Sequence, residues 1–141
     1  MRTSARNTFP GTVTRVTKGA VNAEVELTLG NGDKIVAIIT NTSVEALGLG
    51  VGTKAIALIK ASWVILGKEL EKAKLSTRNI MPGIIHSIHE GAVNSEIILK
   101  LAGGTLLTAI ITNRSVRSLD LKAGEEAFAA IKASHVILAV E

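Results

Sequence analysis

The protein has 141 residues, a length that fits one ordinary domain or two very small ones. Apolar residues make up 47% of the chain and aromatic residues 2%, so the core must consist of aliphatic side chains, and the absence of cysteine excludes disulfides and thiolate metal sites. The net charge of +4 favours an anionic partner without choosing among nucleic acid, membrane and a small oxyanion. The N-terminus lacks the apolar core of a signal peptide and no stretch approaches membrane-spanning length, so we expect a cytoplasmic protein.

The sequence repeats itself. A shift of 72 positions, which places Arg6 on Arg78, aligns the two halves without a gap, and about half of the aligned positions from Ser4 to Glu69 are identical. Each half therefore has the same fold, in about 65 to 70 residues, which is near the lower limit for an independent core.

Several short strands are predicted in the first half. A β-branched run indicates a strand from Thr12 to Val16, matched by Ile84 to Ile88 in the second half. The stretch from Val21 to Leu29 alternates apolar and polar residues, which indicates a strand with its odd-numbered residues, Val21 included, on a buried face. A Gly-rich turn then leads into a return strand from Lys34 to Thr40.

A short helix and two further strands complete the predicted half. The helix should run from Asn41 to Gly48, with Asn41, Thr42 or Ser43 as its N-cap and Gly48 at its end. Strands are predicted from Lys54 to Ile59 and from Trp63 to Leu66. The fold class is therefore all-β with short helical turns, as two tandem barrels of the oligonucleotide/oligosaccharide-binding (OB) type. The domains are predicted at 1–69 and 76–141, joined by a charged linker at about 67–75.

The second half differs from the first at two strand positions. Glu26 becomes Ile98 and Lys34 becomes Leu106, so a face that is charged in one half is apolar in the other. We expect this apolar face to be buried against another domain or subunit.

Two repeated strings could bind an anion. Lys60-Ala61-Ser62 recurs as Lys132-Ala133-Ser134, and Thr40-Asn41-Thr42-Ser43 recurs with one change from Thr112 to Ser115. Hydroxyls, amides and an ammonium can all donate hydrogen bonds to an oxyanion. Equally, the lysine can be a solvated strand end, and the threonine string an ordinary helix cap.

Other polar residues have equally plain alternatives. Arg6 and Arg78 could each donate hydrogen bonds to two oxygens of an anion, or they could form surface salt bridges. The repeated acids Glu24 and Glu96 fit solvated or paired side chains better than catalysts. None of the three histidines is repeated in the other half, so they indicate no metal site, and no catalytic constellation is present. We expect that the protein is not an enzyme.

The repeated strings resemble a known family. Ser4-Ala5-Arg6-Asn7, the string from Gly19 to Val25, the string from Ile38 to Val44 and Leu58-Ile59-Lys60-Ala61-Ser62 are similar to the Mop domain of the molybdate-binding molbindins, and the tandem resembles the di-Mop storage proteins. The resemblance implies OB-like barrels and a homotrimer that stores molybdate or tungstate, without a catalytic cofactor or a membrane or nucleic-acid partner. The oxyanions would lie at contacts between domains. Because molybdate at neutral pH carries no proton and can only accept hydrogen bonds, a pocket of hydroxyls, amides, Lys and Arg without a carboxylate suits it.

The resemblance also implies ligand-contacting residues in both halves, with no protein atom bound directly to the metal. The implied contacts are Ser4, Arg6, Thr40, Ser43, Lys60, Ala61, Ser62, Ser76, Arg78, Thr112, Ser115, Lys132, Ala133 and Ser134. A second class of site on the symmetry axis would use backbone near Gly19, Ala20, Val21, Asn22, Gly91, Ala92, Val93 and Asn94. Substitutions such as Thr42 to Arg114 leave open whether equivalent pockets bind equally.

Two other functions remain open at the level of sequence. An OB-type module that binds single-stranded nucleic acid would stack bases on aromatic side chains, of which this chain has three. The chain could also be the effector-sensing partner of a transcription regulator, which would supply the DNA-binding segment.

Overall fold

The chain forms two five-stranded antiparallel sheets and two short α-helices, in a computed structural model that describes residues 1–141. The elements of the first half are β1 (Asn7–Lys18), β2 (Asn22–Leu29), β3 (Lys34–Thr40), α1 (Asn41–Leu47), β4 (Lys54–Ile59) and β5 (Ile65–Gly67). Those of the second half are β6 (Asn79–Glu90), β7 (Asn94–Leu101), β8 (Leu106–Thr112), α2 (Asn113–Ser118), β9 (Glu126–Ile131) and β10 (Ile137–Ala139). The predicted all-β class with OB-like halves is confirmed. Neither α-helix is long enough to cross a membrane.

The two halves exchange their last strands. One sheet has the order β10-β4-β1-β2-β3 and the other β5-β9-β6-β7-β8, so each sheet takes its fifth strand from the opposite half. Ile137 pairs with Leu58 in the first sheet, and Ile65 pairs with Ala130 in the second. One continuous cluster of 27 buried apolar residues includes members from both halves. Neither sheet is complete without the other half.

The predicted return strand and the strand from Lys54 to Ile59 are confirmed, but four details were wrong. Val21 is 70% exposed, because the ladder with β3 begins only at Asn22. The side chain of Thr40, rather than of a residue from Asn41 to Ser43, caps α1. The strands predicted from Thr12 to Val16 and from Ile84 to Ile88 are only the middle parts of the longer β1 and β6. The strand predicted to begin at Trp63 begins at Ile65, because a 3-10 turn covers Ala61–Trp63.

The charged connection contains a single 3-10 turn, Leu70–Lys72. Lys68 anchors its start to the second half: Nζ lies 2.8 Å from Glu125 Oε2 and donates to the carbonyl of Asp120 at 2.5 Å. The connection therefore lies along the second half rather than standing free in solvent.

The outer faces of β2 and β7 differ as the sequence indicates. Glu26 accepts a hydrogen bond from Thr14 Oγ1 at 2.7 Å, and Lys34 and Arg15 lie 3.7 and 3.6 Å from its carboxylate. On the second half the corresponding Ile98 is half-buried and Leu106 is 46% exposed. The expected burial of this face is therefore incomplete within one chain, so its cover by another subunit stays a prediction.

Candidate functional site

The start of each helix is held by the same pair of hydroxyls. Thr40 Oγ1 accepts from the backbone N–H of Ser43 at 3.1 Å and donates to Ser43 Oγ at 2.9 Å. Thr112 and Ser115 form the same two bonds at the same distances in the second half. The cap interpretation of these strings is therefore correct. Because Thr40 donates its proton to Ser43, the hydroxyl of Ser43 keeps its own proton to donate to a ligand.

An asparagine at the first position of each helix ties it to the preceding Gly-containing turn. Asn41 Nδ2 donates to the carbonyl of Gly19 at 2.9 Å, and its backbone N–H donates to the carbonyl of Val21 at 2.8 Å. The corresponding bonds of Asn113 in the second half are both 2.8 Å long. The two classes of predicted site residues are therefore neighbours: the turns Gly19–Asn22 and Gly91–Asn94 lie against the helix starts.

The second half has a shallow depression at this place. The turn Gly91–Val93 and the residues Thr112 and Asn113 line it, together with Arg114 and Arg117. Arg117 lies 4.0 Å from the carboxylate of Glu90. The first half has Thr42 and Glu45 at the two arginine positions, so the second turn is the more cationic one. Sequence reasoning named neither arginine as a site residue, although their contrast with the first half was visible.

The N-terminal strings attach each half to the other through a buried asparagine. Asn7 is 1% exposed, and its Nδ2 donates to the carbonyl of Thr108 on β8 while its Oδ1 accepts from the Thr108 N–H, both at 2.8 Å. Asn79 makes the same pair of bonds to Val36 on β3, at 2.7 and 2.8 Å. Sequence reasoning missed this role, because only the conformation of the opposite half shows what the amide meets.

The two arginines form ion pairs across the halves. Arg6 Nη2 lies 2.6 Å from Glu96 Oε2, and Arg78 Nη1 lies 2.5 Å from Glu24 Oε2. The salt-bridge alternative for these residues is thus realised. Each arginine lies beside the acidic strand of the opposite half, so a carboxylate is a neighbour of the candidate residues, and a pocket without a carboxylate stays a prediction.

The Lys-Ala-Ser strings form two 3-10 turns that meet each other. The turn Ala61–Trp63 packs against β8, and the turn Ala133–His135 packs against β3. The rings of Trp63 and His135 lie 5.0 Å apart between centroids, and Lys60 Nζ lies 5.7 Å from the Trp63 ring. The alanines are buried and the serines exposed, so backbone and hydroxyl donors lie where the halves meet.

The first string and the Lys-Ala-Ser turn of each half lie against β8 or β3 of the other half, the strands that end at Thr112 and Thr40, so the candidate residues are grouped into two mixed sets. The first set contains Ser4, Arg6, Lys60, Ala61, Ser62, Thr112 and Ser115; the second contains Ser76, Arg78, Lys132, Ala133, Ser134, Thr40 and Ser43. Ser4 and Ser76 are exposed and make no hydrogen bond within the chain. These sets are rich in hydrogen-bond donors and suit an anion. No group of three or more His, Asp or Glu side chains is arranged to hold a metal ion.

Comparison with known proteins identifies the halves. The family model of the TOBE domain matches twice, over residues 3–66 and 75–138. The chain is 49% identical over 140 residues to the molybdenum-pterin-binding protein MopA of Rhodobacter capsulatus, which covers 99% of this chain and 53% of MopA. It is 40% identical over 141 residues to the molybdenum transport protein ModE of Herbaspirillum seropedicae, which covers 100% of this chain and 52% of ModE. The chain thus spans about half the length of these relatives.

A solved structure matches over the full length of both chains. It is a crystal structure of the cytoplasmic molybdate-binding protein ModG with molybdate bound, 48% identical to this chain, with a TM-score of 0.94 and 100% coverage of each. The strand exchange and the pairing of the halves thus belong to a fold already seen with a related sequence. The chain belongs to the TOBE-domain family, in which its two tandem domains and its full-length match to ModG make it a protein of the di-Mop molbindin type.

Proposed function

We propose that the protein binds molybdate, and also tungstate, for intracellular storage and homeostasis of the metal in the cytoplasm. This proposal is supported by the position of the Lys-Ala-Ser turn and the first string of each half, which lie against the strand that leads into the Thr-x-x-Ser string of the other half. It is also supported by the 48% identity of the chain to a protein crystallised with molybdate. The Mop domains are taken as 1–69 and 76–141, with the linker at 67–75.

The chemistry of the donor sets favours this ligand. Molybdate at neutral pH is a dianion without a proton, so it can only accept hydrogen bonds. Each set offers an ammonium, a guanidinium, hydroxyls and backbone N–H groups, which are all donors. The two sets are taken as the ligand contacts, and the turns near Gly19–Asn22 and Gly91–Asn94 as a second class of site. The relatives described above bind molybdenum compounds or transport molybdenum and are not enzymes, and no catalytic role is proposed for this chain.

Titration calorimetry of the purified protein tests the proposal directly. Molybdate and tungstate should bind, and sulfate at the same concentration should compete poorly. Lys60→Ala and Lys132→Ala should each weaken one set of sites by about tenfold, because a dianion loses a charged donor. Lys74→Ala in the linker is the matched control for net charge. Absence of molybdate binding to the wild-type protein would refute the proposal.

A homotrimer is part of the proposal. Val21 and Val93, at the tips of the two Gly-containing turns, are 70% and 72% exposed, and Leu106 adds apolar surface in the second half. Apolar side chains at such tips are suited to contact between copies. Analytical ultracentrifugation with and without molybdate gives the mass, and a monomer under both conditions would contradict this part.

A role in sensing is the second candidate. It is favoured by 33% identity over 140 residues to the DNA-binding transcriptional dual regulator ModE of Escherichia coli (strain K12), a match that covers 99% of this chain and 52% of that protein. In that role a bound oxyanion would change how the chain contacts a DNA-binding partner. Titration of the protein with a DNA duplex, with and without molybdate, separates binding by this chain alone from storage. A single-stranded oligonucleotide tests the OB-type alternative in the same assay.

A further inference from the structure

Both arginines of the proposed sites are occupied by a carboxylate of the opposite half. Arg6 binds Glu96, and Arg78 binds Glu24, with nitrogen–oxygen distances of 2.6 and 2.5 Å. The arginine side chains are 49% and 51% exposed, whereas the glutamates are 27% and 24% exposed. The guanidinium groups therefore face solvent while they hold an anion that belongs to the protein itself.

A dianion that binds such an arginine meets the carboxylate of this pair beside it. One edge of a guanidinium serves one carboxylate or oxyanion at a time, and an oxyanion on another edge still lies next to the glutamate. A carboxylate that stayed beside a bound dianion would repel it, and one that moved away would lose its own partner. Either way, the glutamate makes ligand binding weaker than the donors alone would allow.

The two ion pairs differ in whether the glutamate keeps a cationic neighbour when its arginine turns to a ligand. Glu24 also lies 3.6 Å from Arg15 Nη2, so it keeps a cationic neighbour if Arg78 turns to a ligand. The residue that corresponds to Arg15 in the second half is Ser87. Glu96 forms no ion pair other than the one with Arg6, and would be left without a cation.

From these contacts we infer that Glu24 and Glu96 act as internal competitors for the oxyanion and set unequal affinities at the two mixed sites. This inference rests on the proposed function. The site that contains Arg78 is the tighter one, because Arg15 compensates Glu24 when the ligand displaces it. The site that contains Arg6 is the weaker one.

The contrary interpretation treats both pairs as ordinary surface salt bridges. Half-exposed pairs of this kind contribute little to stability in general. If they had no part in binding, neutralising the glutamate would leave the oxyanion affinity unchanged. A purely structural role would make the same change harmful, because the halves would be held together less well. A gain of affinity is therefore the distinguishing result.

Calorimetric titration with sodium molybdate, at fixed ionic strength and pH 8, tests the inference on the full chain. The pH is the same for all variants, because His89 lies across from Glu96 in the β6–β7 pair. Arg6→Ala and Arg78→Ala assign the two classes of site, since each removes one class. Glu71→Gln in the linker is the control, because it makes the same change in net charge.

Glu96→Gln should tighten the weaker class by about fivefold to tenfold, as expected for removing one charge near a dianion in a partly solvated site. Arg15→Ser should weaken the tighter class and bring the two classes together. An unchanged or lower affinity in Glu96→Gln, with wild-type binding intact and an unchanged melting temperature, overturns the inference alone. If Glu96→Gln alters the melting temperature, the titration of Arg15→Ser is the deciding measurement. Two classes of site whose affinities differ as much in Arg15→Ser as in the wild type overturn the inference. A wild-type protein that binds no molybdate refutes the proposed function and the inference together.

Discussion

Asn79→Ala should destabilise the protein by about 2 to 6 kcal/mol, because Asn79 completes the open edge of the first sheet and its loss leaves two peptide groups unpaired. β3 is the last strand of that sheet, and Asn79 supplies both a donor and an acceptor to the outward-facing peptide groups of Val36, at 2.7 and 2.8 Å. The side chain is 3% exposed, so water cannot replace it easily. A buried hydrogen bond contributes about 1 kcal/mol, and each peptide group left unpaired costs about 1 to 3 kcal/mol.

Guanidinium unfolding followed by circular dichroism, at a fixed protein concentration, measures this loss. Asn94→Ala is the matched control, since Asn94 is exposed and its side chain makes no hydrogen bond. Asn79→Asp should destabilise as well, because a carboxylate keeps the acceptor for the Val36 N–H but places a second acceptor against the Val36 carbonyl. A loss below about 0.5 kcal/mol in Asn79→Ala, with an unchanged denaturant slope, would show that the asparagine does not join the halves.

Further predictions concern the differences between the halves. Ala23→Ser should stabilise the protein by about 1 kcal/mol in thermal unfolding, because Asn41 Oδ1 is buried without a donor whereas its counterpart accepts from Ser95; a lower melting temperature would contradict this. The pKa of Glu26 lies below its ordinary value of 4.5, chiefly because Thr14 donates to its carboxylate, and because Lys34 and Arg15 are near. A lowered pKa stabilises the fold above the unfolded value, so this contribution should disappear as pH falls below 4.5 through the folded pKa. In an NMR titration, Thr14→Val should move the Glu26 pKa upward; an unmoved value would rule out the hydrogen bond as the main cause.

Local pattern was sufficient to predict much of the fold. The bounds of β3 and β4 follow from apolar runs that end at polar residues or turns, and α1 begins where β3 ends. Val21 was wrongly predicted to be buried, because the alternation of apolar and polar residues in β2 starts one residue before the strand itself, in the turn. These signals are local in the chain, so a single sequence contains them.

The exchange of strands and the ion pairs of the arginines were not predictable in the same way. β5 and β10 have three residues each, and nothing in such short runs indicates which sheet they join. Arg6 meets Glu96 because the start of β1 lies against the second half, where Asn7 bonds to Thr108 of β8. The candidate strings were recognised from repetition, but their carboxylate partners depend on how the halves are joined.

The exchanged strands also affect how the protein can assemble. A polypeptide with one half alone would leave a sheet edge open and would need a second copy to fill it, so its folding would depend on concentration. In this chain the linker keeps the second copy at an effective concentration of about millimolar, whatever the amount of protein. A cell that holds only a few molecules can therefore still complete both sheets.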